Sequence, residues 1–250
     1  MKKIDITLIT LVWLLVISCQ PGNDPNDPND PQRIIDKVIE NHGGTRYDNF
    51  YASFDFRDRH YTIERKNGIF QYERHFSDPS GEIKDVLNND GFSRYLNEHD
   101  ITDTVARVAA YARSVNSVVY FAILPYPLND PAVNKTYLGT EEIKGQPYHK
   151  ILVTFEANGG GEDHSDEFVY WIHRTNYTMD YLAYLYFTEG GGKRFRAPMK
   201  VHDVGGLRFY DYENYKGTGD ETAIEDYGQL YDQGKLELLS KIELKNLEVR

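Results

Sequence analysis

From Phe50 onward the apolar residues recur at every second position. Phe50, Ala52, Phe54 and Phe56 share one face, against Ser53, Asp55 and Arg57 on the other. A period of two marks a half-buried strand, because successive side chains point to opposite faces. The segments "HYTIER", "IFQYERHF", "EIKDVL" and "FSRYL" follow, separated by Lys66-Asn67-Gly68, Asp78-Pro79-Ser80-Gly81 and Asn89-Asp90-Gly91. Asn-Gly and Asp-Gly steps take up the positive-φ turns whose twist matches that of a hairpin. Short strands joined by such turns pair antiparallel with their neighbours, since a parallel pair needs a long crossover. The chain is thereby constrained to successive hairpins.

Two helices interrupt the pattern. In "DPQRIIDKVIENHGG", Ile34, Ile35, Val38, Ile39 and His42 fall at helical spacing, and Gly43 and Gly44 stop the run. Between Asp103 and Leu124, Val105, Val108, Ala109, Ala112, Val115, Val119 and Ala122 form one helical stripe that Pro125 ends. The stretch from Tyr126 to Tyr148 reads as an irregular crossing segment. Four strands then form a meander: His149 to Glu156, Glu167 to Arg174, Thr178 to Thr188 and Lys193 to Val201. Its connections carry two glycine triplets, "GGGEDHSDEF" from Gly159 and "GGGKRFR" from Gly190, and one out-and-back pair of strands between them places both at the same end. Strands near "GLRFYDYENYK" and "KLELLSKIELKNLEV" complete the sheet, with a partly helical link between them. The strand from Thr178 to Thr188 has two sheltered faces, Met179, Tyr181, Ala183, Leu185 and Phe187 on one and Leu182, Tyr184 and Tyr186 on the other. Antiparallel sheets usually leave one polar face to water, so something covers the second side. The expected fold is β-rich α+β: a single strongly curved antiparallel sheet, an incomplete barrel of about ten strands wrapping one long helix, with a short N-terminal helix.

The first residues have a separate purpose. Lys2 and Lys3 precede an apolar run from Ile6 to Ile17 and a small residue, Ser18. That run is too short to cross a bilayer and reads as an export leader, residues 1–18. Val16, Ile17, Ser18 and Cys19 resemble a bacterial lipobox, which implies a lipidated Cys19 and a membrane tether. Cys19 is the one cysteine of the chain, so the body folds without a disulfide. The three Asn-Asp-Pro repeats within 19–31 hold no large apolar side chain and read as an extended tether, and residues 32–250 read as one domain. Gln20 stands where, by resemblance to enterobacterial sorting, an aspartate would retain the protein in the inner membrane. The cell envelope, at the outer membrane, is therefore the expected location. A net charge of −11 argues against nucleic acid as a partner.

The segments "LNDPAV", "YLG", "GGGEDHSDEF", "DYLAY" and "GGGKRFR" resemble a family of Bacteroidota lipoproteins of unknown function. The likeness runs from about Ile34 to the C-terminus and is strongest between Tyr120 and Arg196. In its order of elements the chain is also similar to LolA-like carriers, with an N-terminal helix, a curved incomplete barrel and helices plugging its concave side. That resemblance implies a role in holding acyl chains or another hydrophobic ligand.

The chemistry-bearing residues gather on the two glycine-containing connections. Glu162, Asp163 and Asp166 form an acidic rim and Arg194 and Arg196 a basic one, able to pair across the sheet end. Asp163, His164 and Asp166 are the candidates for a metal. Their spacing matches neither an EF-hand loop nor a histidine pair at i, i+4, and no cofactor is expected. Nucleophile-elbow, phosphate-loop and dinucleotide patterns are missing, so a binding protein is expected rather than an enzyme. The 20 Tyr and 12 Phe residues point to an aromatic pocket, with Tyr170, Trp171, Tyr181, Tyr184, Tyr186, Phe209 and Tyr210 as its candidate wall. The expected ligand is a lipid or acyl chain. A glycan stacked on aromatic rings and a metal-dependent enzyme built on the acidic loop remain as alternatives.

Overall fold

The computed structural model describes residues 27–250, apart from Glu162, Thr218, Asp220, Glu221 and the side chain of Glu189. The leader, Cys19 and the tether as far as Asn26 lie outside the described residues. Among the described residues, no helix is long and apolar enough to cross a membrane.

The chain opens with α1 (Pro31–His42), whose buried Ile34, Ile35, Val38 and His42 match the expected stripe. Asp30 caps it, its carboxylate accepting the N–H of Gln32 at 2.9 Å and that of Arg33 at 3.4 Å; such a cap stabilises by about 1 kcal/mol. Gly43 ends the helix where any Cβ would run into the side chain of Leu207.

Six strands follow as uninterrupted hairpins: β1 (Asn49–Phe56), β2 (Arg59–Lys66), β3 (Ile69–Asp78), β4 (Gly81–Asn88), β5 (Gly91–Leu96) and β6 (His99–Asp100). A short 3-10 turn leads into α2 (Val108–Ala122). Beyond it lie β7 (Val133–Ile143), β8 (Gln146–Phe155), β9 (Glu167–His173), β10 (Met179–Tyr186), β11 (Gly192–Val204), β12 (Leu207–Lys216), α3 (Tyr227–Asp232), β13 (Glu237–Ile242) and β14 (Lys245–Val249).

These strands make two seven-stranded antiparallel sheets, not the expected single sheet of about ten strands. The first has the order β14-β1-β2-β3-β4-β5-β6 and the second β13-β12-β11-β10-β9-β8-β7. The C-terminal run is what divides between them. After β13 the N–H of Leu244 turns from the strand ladder to the carboxylate of Asp211 at 2.8 Å, and β14 then pairs with β1. The supposedly irregular segment after Tyr126 contains β7. Its period of two is broken by a bulge at Leu138-Gly139, where Gly139 takes φ +101°.

Three apolar layers hold the molecule together. Phe54, Tyr61, Ile63 and Tyr72 of the first sheet pack against Val115 and Val119 of α2, so α2 rests on the first sheet, across β3, β4 and β5. The inner face of the second sheet packs Ile151, Tyr170, Ile172 and Leu182 against α1. Its opposite face places Val169, Trp171 and Phe195 beneath Ile224 and Tyr227. Both faces of β10 are thus covered from Met179 to Ala183, whereas Phe187, expected on a sheltered face, lies past the end of the strand and is exposed. Met179 shares the face of Leu182 rather than that of Tyr181, because Asp180 is an extra residue opposite Trp171-Ile172.

Candidate functional site

Tyr184 faces Phe168 on one side and Arg194 on the other, while Leu182 faces Tyr170 and Arg196 in the next row. Alternation turns these residues toward α2 and their neighbours Val169, Ala183 and Phe195 away. From the helix, Phe121 approaches Tyr184 and Phe168 with ring centroids 5.2 and 6.1 Å apart. Tyr120 meets the hydroxyl of Tyr170 at 3.2 Å. Burial holds both of these hydroxyls well above the ordinary phenol range, so each stays protonated.

α2 does not fill the space over this face. A cavity of about 440 Å³ lies between its exposed flank and the second sheet, with Phe121, Phe155, Phe168, Tyr184 and Tyr186 in its walls. Asp163, Asp166 and Gly160 reach it from the β8–β9 connection, and Thr188 and Arg194 from the β10–β11 end. An adjoining, smaller chamber of about 220 Å³ lies against Tyr210, Tyr212, Ile242 and Leu244 and opens beside the exposed Arg57. Ser117, Val118, Phe121, Tyr184 and Arg196 border both spaces. The guanidinium of Arg196 lies 3.6 Å from the centre of the Phe121 ring, so this pair forms part of the boundary between them. A further cleft of about 420 Å³ runs along the other flank of α2, beside Tyr120, Tyr126 and Gly160.

The two glycine-bearing connections meet at the mouth. The N–H of Phe187 donates to Asp166 Oδ1 at 3.2 Å. Burial, with the nearby charge of Asp163 adding to it, pushes the Asp166 carboxyl up to about 6. Arg194 donates to the Lys193 carbonyl and the Tyr186 hydroxyl, each at 2.8 Å. Arg196 donates to the Tyr184 hydroxyl at 3.4 Å. The expected cross-rim ion pairs are thus replaced by bonds to backbone and tyrosine. Glu162 lies outside the described residues.

The aromatic residues singled out in the sequence are divided among different places. Tyr184 lines both spaces, Tyr186 the larger cavity and Tyr210 the smaller chamber. Tyr170 is fully enclosed behind them, and Phe209 belongs to the core between α2 and the first sheet. Trp171 and Tyr181 pair with each other on the opposite face of the sheet, against Phe195. The indole of Trp171 has no exposed surface and donates to Glu141 at 3.1 Å. A single wall of seven rings does not form, because residues one apart on a strand face opposite ways. His164 Nδ1 lies 3.1 Å from the Gly161 carbonyl, and among the described residues no three His, Cys, Asp or Glu side chains converge to hold a metal. Phe121, Phe155 and Phe168 escaped notice. The signal for Phe121 was present, since Val118 and Phe121 widen the apolar stripe of α2 beyond what one packed face needs.

The chain matches the model of a family described as "Family of unknown function (DUF6503)" over residues 8–244, and it belongs to that family. No curated protein sequence matches it. Among solved structures it is similar to a LolA superfamily protein from Nitrosomonas europaea, at 9% identity and a TM-score of 0.45, covering 88% of this chain and 91% of the other. A domain from Vibrio parahaemolyticus, described as an outer membrane lipoprotein-sorting protein, is similar at 8% identity and a TM-score of 0.39, covering 90% and 94%. The Mycobacterium tuberculosis lipoprotein LppX is similar at 12% identity and a TM-score of 0.30, covering 65% and 91%. The family match corresponds to the resemblance to a family of unknown function drawn from the sequence.

Proposed function

We propose that this DUF6503 protein is a lipid-anchored protein of the cell envelope that binds a hydrophobic or amphiphilic ligand, an acyl chain or lipid, without transforming it. The observation that carries the reading is the aromatic-walled space between α2 and the second sheet. Its volume lies in the range of small-molecule sites, about 300–1,000 Å³, and it combines the aromatic walls with polar and charged groups from α2, such as Arg113 and Asn116, and from both connections, as an amphiphile requires. The N-terminal lysines, apolar run and Cys19 support export and lipidation. A glycan partner has less support, because the indole best suited to stacking, Trp171, is enclosed in the core.

The test is binding by the exported but unlipidated Cys19→Ser protein. It should release a co-purifying lipid on organic extraction and mass spectrometry, and should bind a dansyl-labelled fatty acid saturably. A lipid-free preparation that also fails to bind the probe refutes the reading.

A further inference from the structure

Arg194 and Arg196 alternate with Phe195 along β11, so both line the larger cavity beside α2. Arg196 is only 8% exposed, and its Nε is enclosed without a hydrogen-bond partner. It also meets the hydroxyl and ring of Tyr184 and the face of Phe121. Among the described residues, neither arginine meets a carboxylate. Desolvating a guanidinium without an opposite charge is costly, and an aromatic face offsets only part of the loss. The fold supplies a counter-ion where burial is purely structural: Arg74 and Arg94, on the first sheet, share the carboxylate of Asp85. At Arg196 that component is missing.

The geometry is suited to receiving it. Stacking on Phe121 covers the face of the guanidinium, while an oxyanion approaches its in-plane N–H edge, the direction of bidentate recognition. Arg194 lies two residues nearer the mouth on the same face. Phe155 and Phe168 line the same cavity on its apolar side.

We propose that the ligand is an anionic amphiphile, with one carboxylate- or phosphate-type head group on Arg196 and Arg194 and its chain along Phe121, Phe155 and Phe168. This rests on the binding function proposed above and names the head group that function requires. The test compares 11-dansylaminoundecanoic acid with its methyl ester, which has the same chain and fluorophore but no charge, using the Cys19→Ser protein at neutral pH. The acid should bind about tenfold tighter or more, the margin of a hydrogen bond to a charged group. Arg196→Gln should lower the preference for the acid over the ester severalfold, with Arg194 accounting for what remains, and Arg196→Lys should restore part of the preference.

Equal binding of acid and ester by the wild-type chain overturns the head-group assignment while leaving the cavity reading intact. No binding of either probe overturns both. Displacement of the acid by millimolar inorganic phosphate as effective as that by undecanoate reveals a free-anion site and overturns the amphiphile. An unchanged preference in Arg196→Gln also overturns it. Should that variant not fold, the wild-type comparison decides.

Discussion

Asp85 is fully buried between two arginines that are themselves 1% and 7% exposed. It accepts from Arg74 Nε at 2.8 Å, from Arg74 Nη2, from Arg94 Nε at 2.6 Å and from Arg94 Nη2 at 2.9 Å. Arg74 also donates to Ser114 of α2 at 2.7 Å, and Arg94 lies 3.4 Å from the ring centre of Tyr111 on the same helix. The substitution Asp85→Asn keeps the shape and one acceptor but leaves two guanidinium groups facing each other without a counter-charge. Breaking a buried ion pair in this way costs about 3–5 kcal/mol. For a chain of this size that lowers Tm by about 6–20 °C. The matching control is Arg74→Met/Asp85→Leu/Arg94→Met, which removes all the charges together. Its loss should be much smaller than that of Asp85→Asn, because most of the single-variant cost is the penalty of unpaired charge. Urea unfolding of the Cys19→Ser protein measures both. A cost below about 1 kcal/mol for Asp85→Asn with an unchanged denaturant slope, or a triple variant worse than the single, refutes this account of how α2 is fixed.

Three further outcomes are expected. Because burial raises the Asp166 carboxyl to about 6, against about 3.9 when unfolded, the folded chain binds this proton more tightly. The resulting stability is fully present below about pH 4 and is lost as pH rises through about 6. Asp166→Asn, which still accepts from Phe187, should remove that slope in urea melts taken between pH 4 and 7. The carboxyl shares its cavity with Asp163 of its own loop, Arg113 of α2 and Arg194 and Arg196 of β11, so an anionic probe should also bind more weakly above pH 6 in the wild type than in Asp166→Asn. Trp171→Phe removes the donor to Glu141 and should cost about 1–3 kcal/mol in the same melts while leaving probe affinity unchanged, since the indole is on the far face of the sheet. Cys19→Ser should abolish incorporation of an alkynyl palmitate and move the protein from the membrane to the soluble fraction.

Much of the fold was legible because hairpins are local. The strands from Phe50 to Leu96 and the meander from β8 to β11 have turn residues and alternation in the same stretch of chain, so each hairpin announces itself. β7 was not legible for the opposite reason. The bulge at Leu138-Gly139 shifts the phase, so Tyr137 and Ile143 do not keep one period. The passage of the C-terminal run from the second sheet to β14 of the first is accompanied by a bond between Leu244 and Asp211, residues that no short-range pattern connects. In the candidate site, the nearness of Asp166 to the β10–β11 end follows from topology alone. The separation of Trp171 and Tyr181 from Tyr184 also follows from strand parity, which an inventory of aromatic residues ignores.

The presence of a cavity is a consequence of where α2 is held. Its Val115 and Val119 are buried against the first sheet, and the triad around Asp85 fixes its N-terminal half to the same sheet through Ser114 and Tyr111. An apolar stripe and an ionic network directed to one side leave the helix unable to close onto the second sheet as well. Tyr120 and Phe121 reach across the remaining distance, one to Tyr170 and the other to Tyr184 and Arg196. Side chains that cross a gap at two points subdivide it rather than fill it, which is why Phe121 and Arg196 border both chambers. Replacing Phe121 by alanine should therefore join the chambers instead of collapsing them, and a longer-chain acid should then gain affinity relative to a shorter one in probe displacement. A uniform loss of affinity across chain lengths would mean that the helix settles onto the second sheet once the ring is removed, and that its attachment to the first sheet does not determine the space.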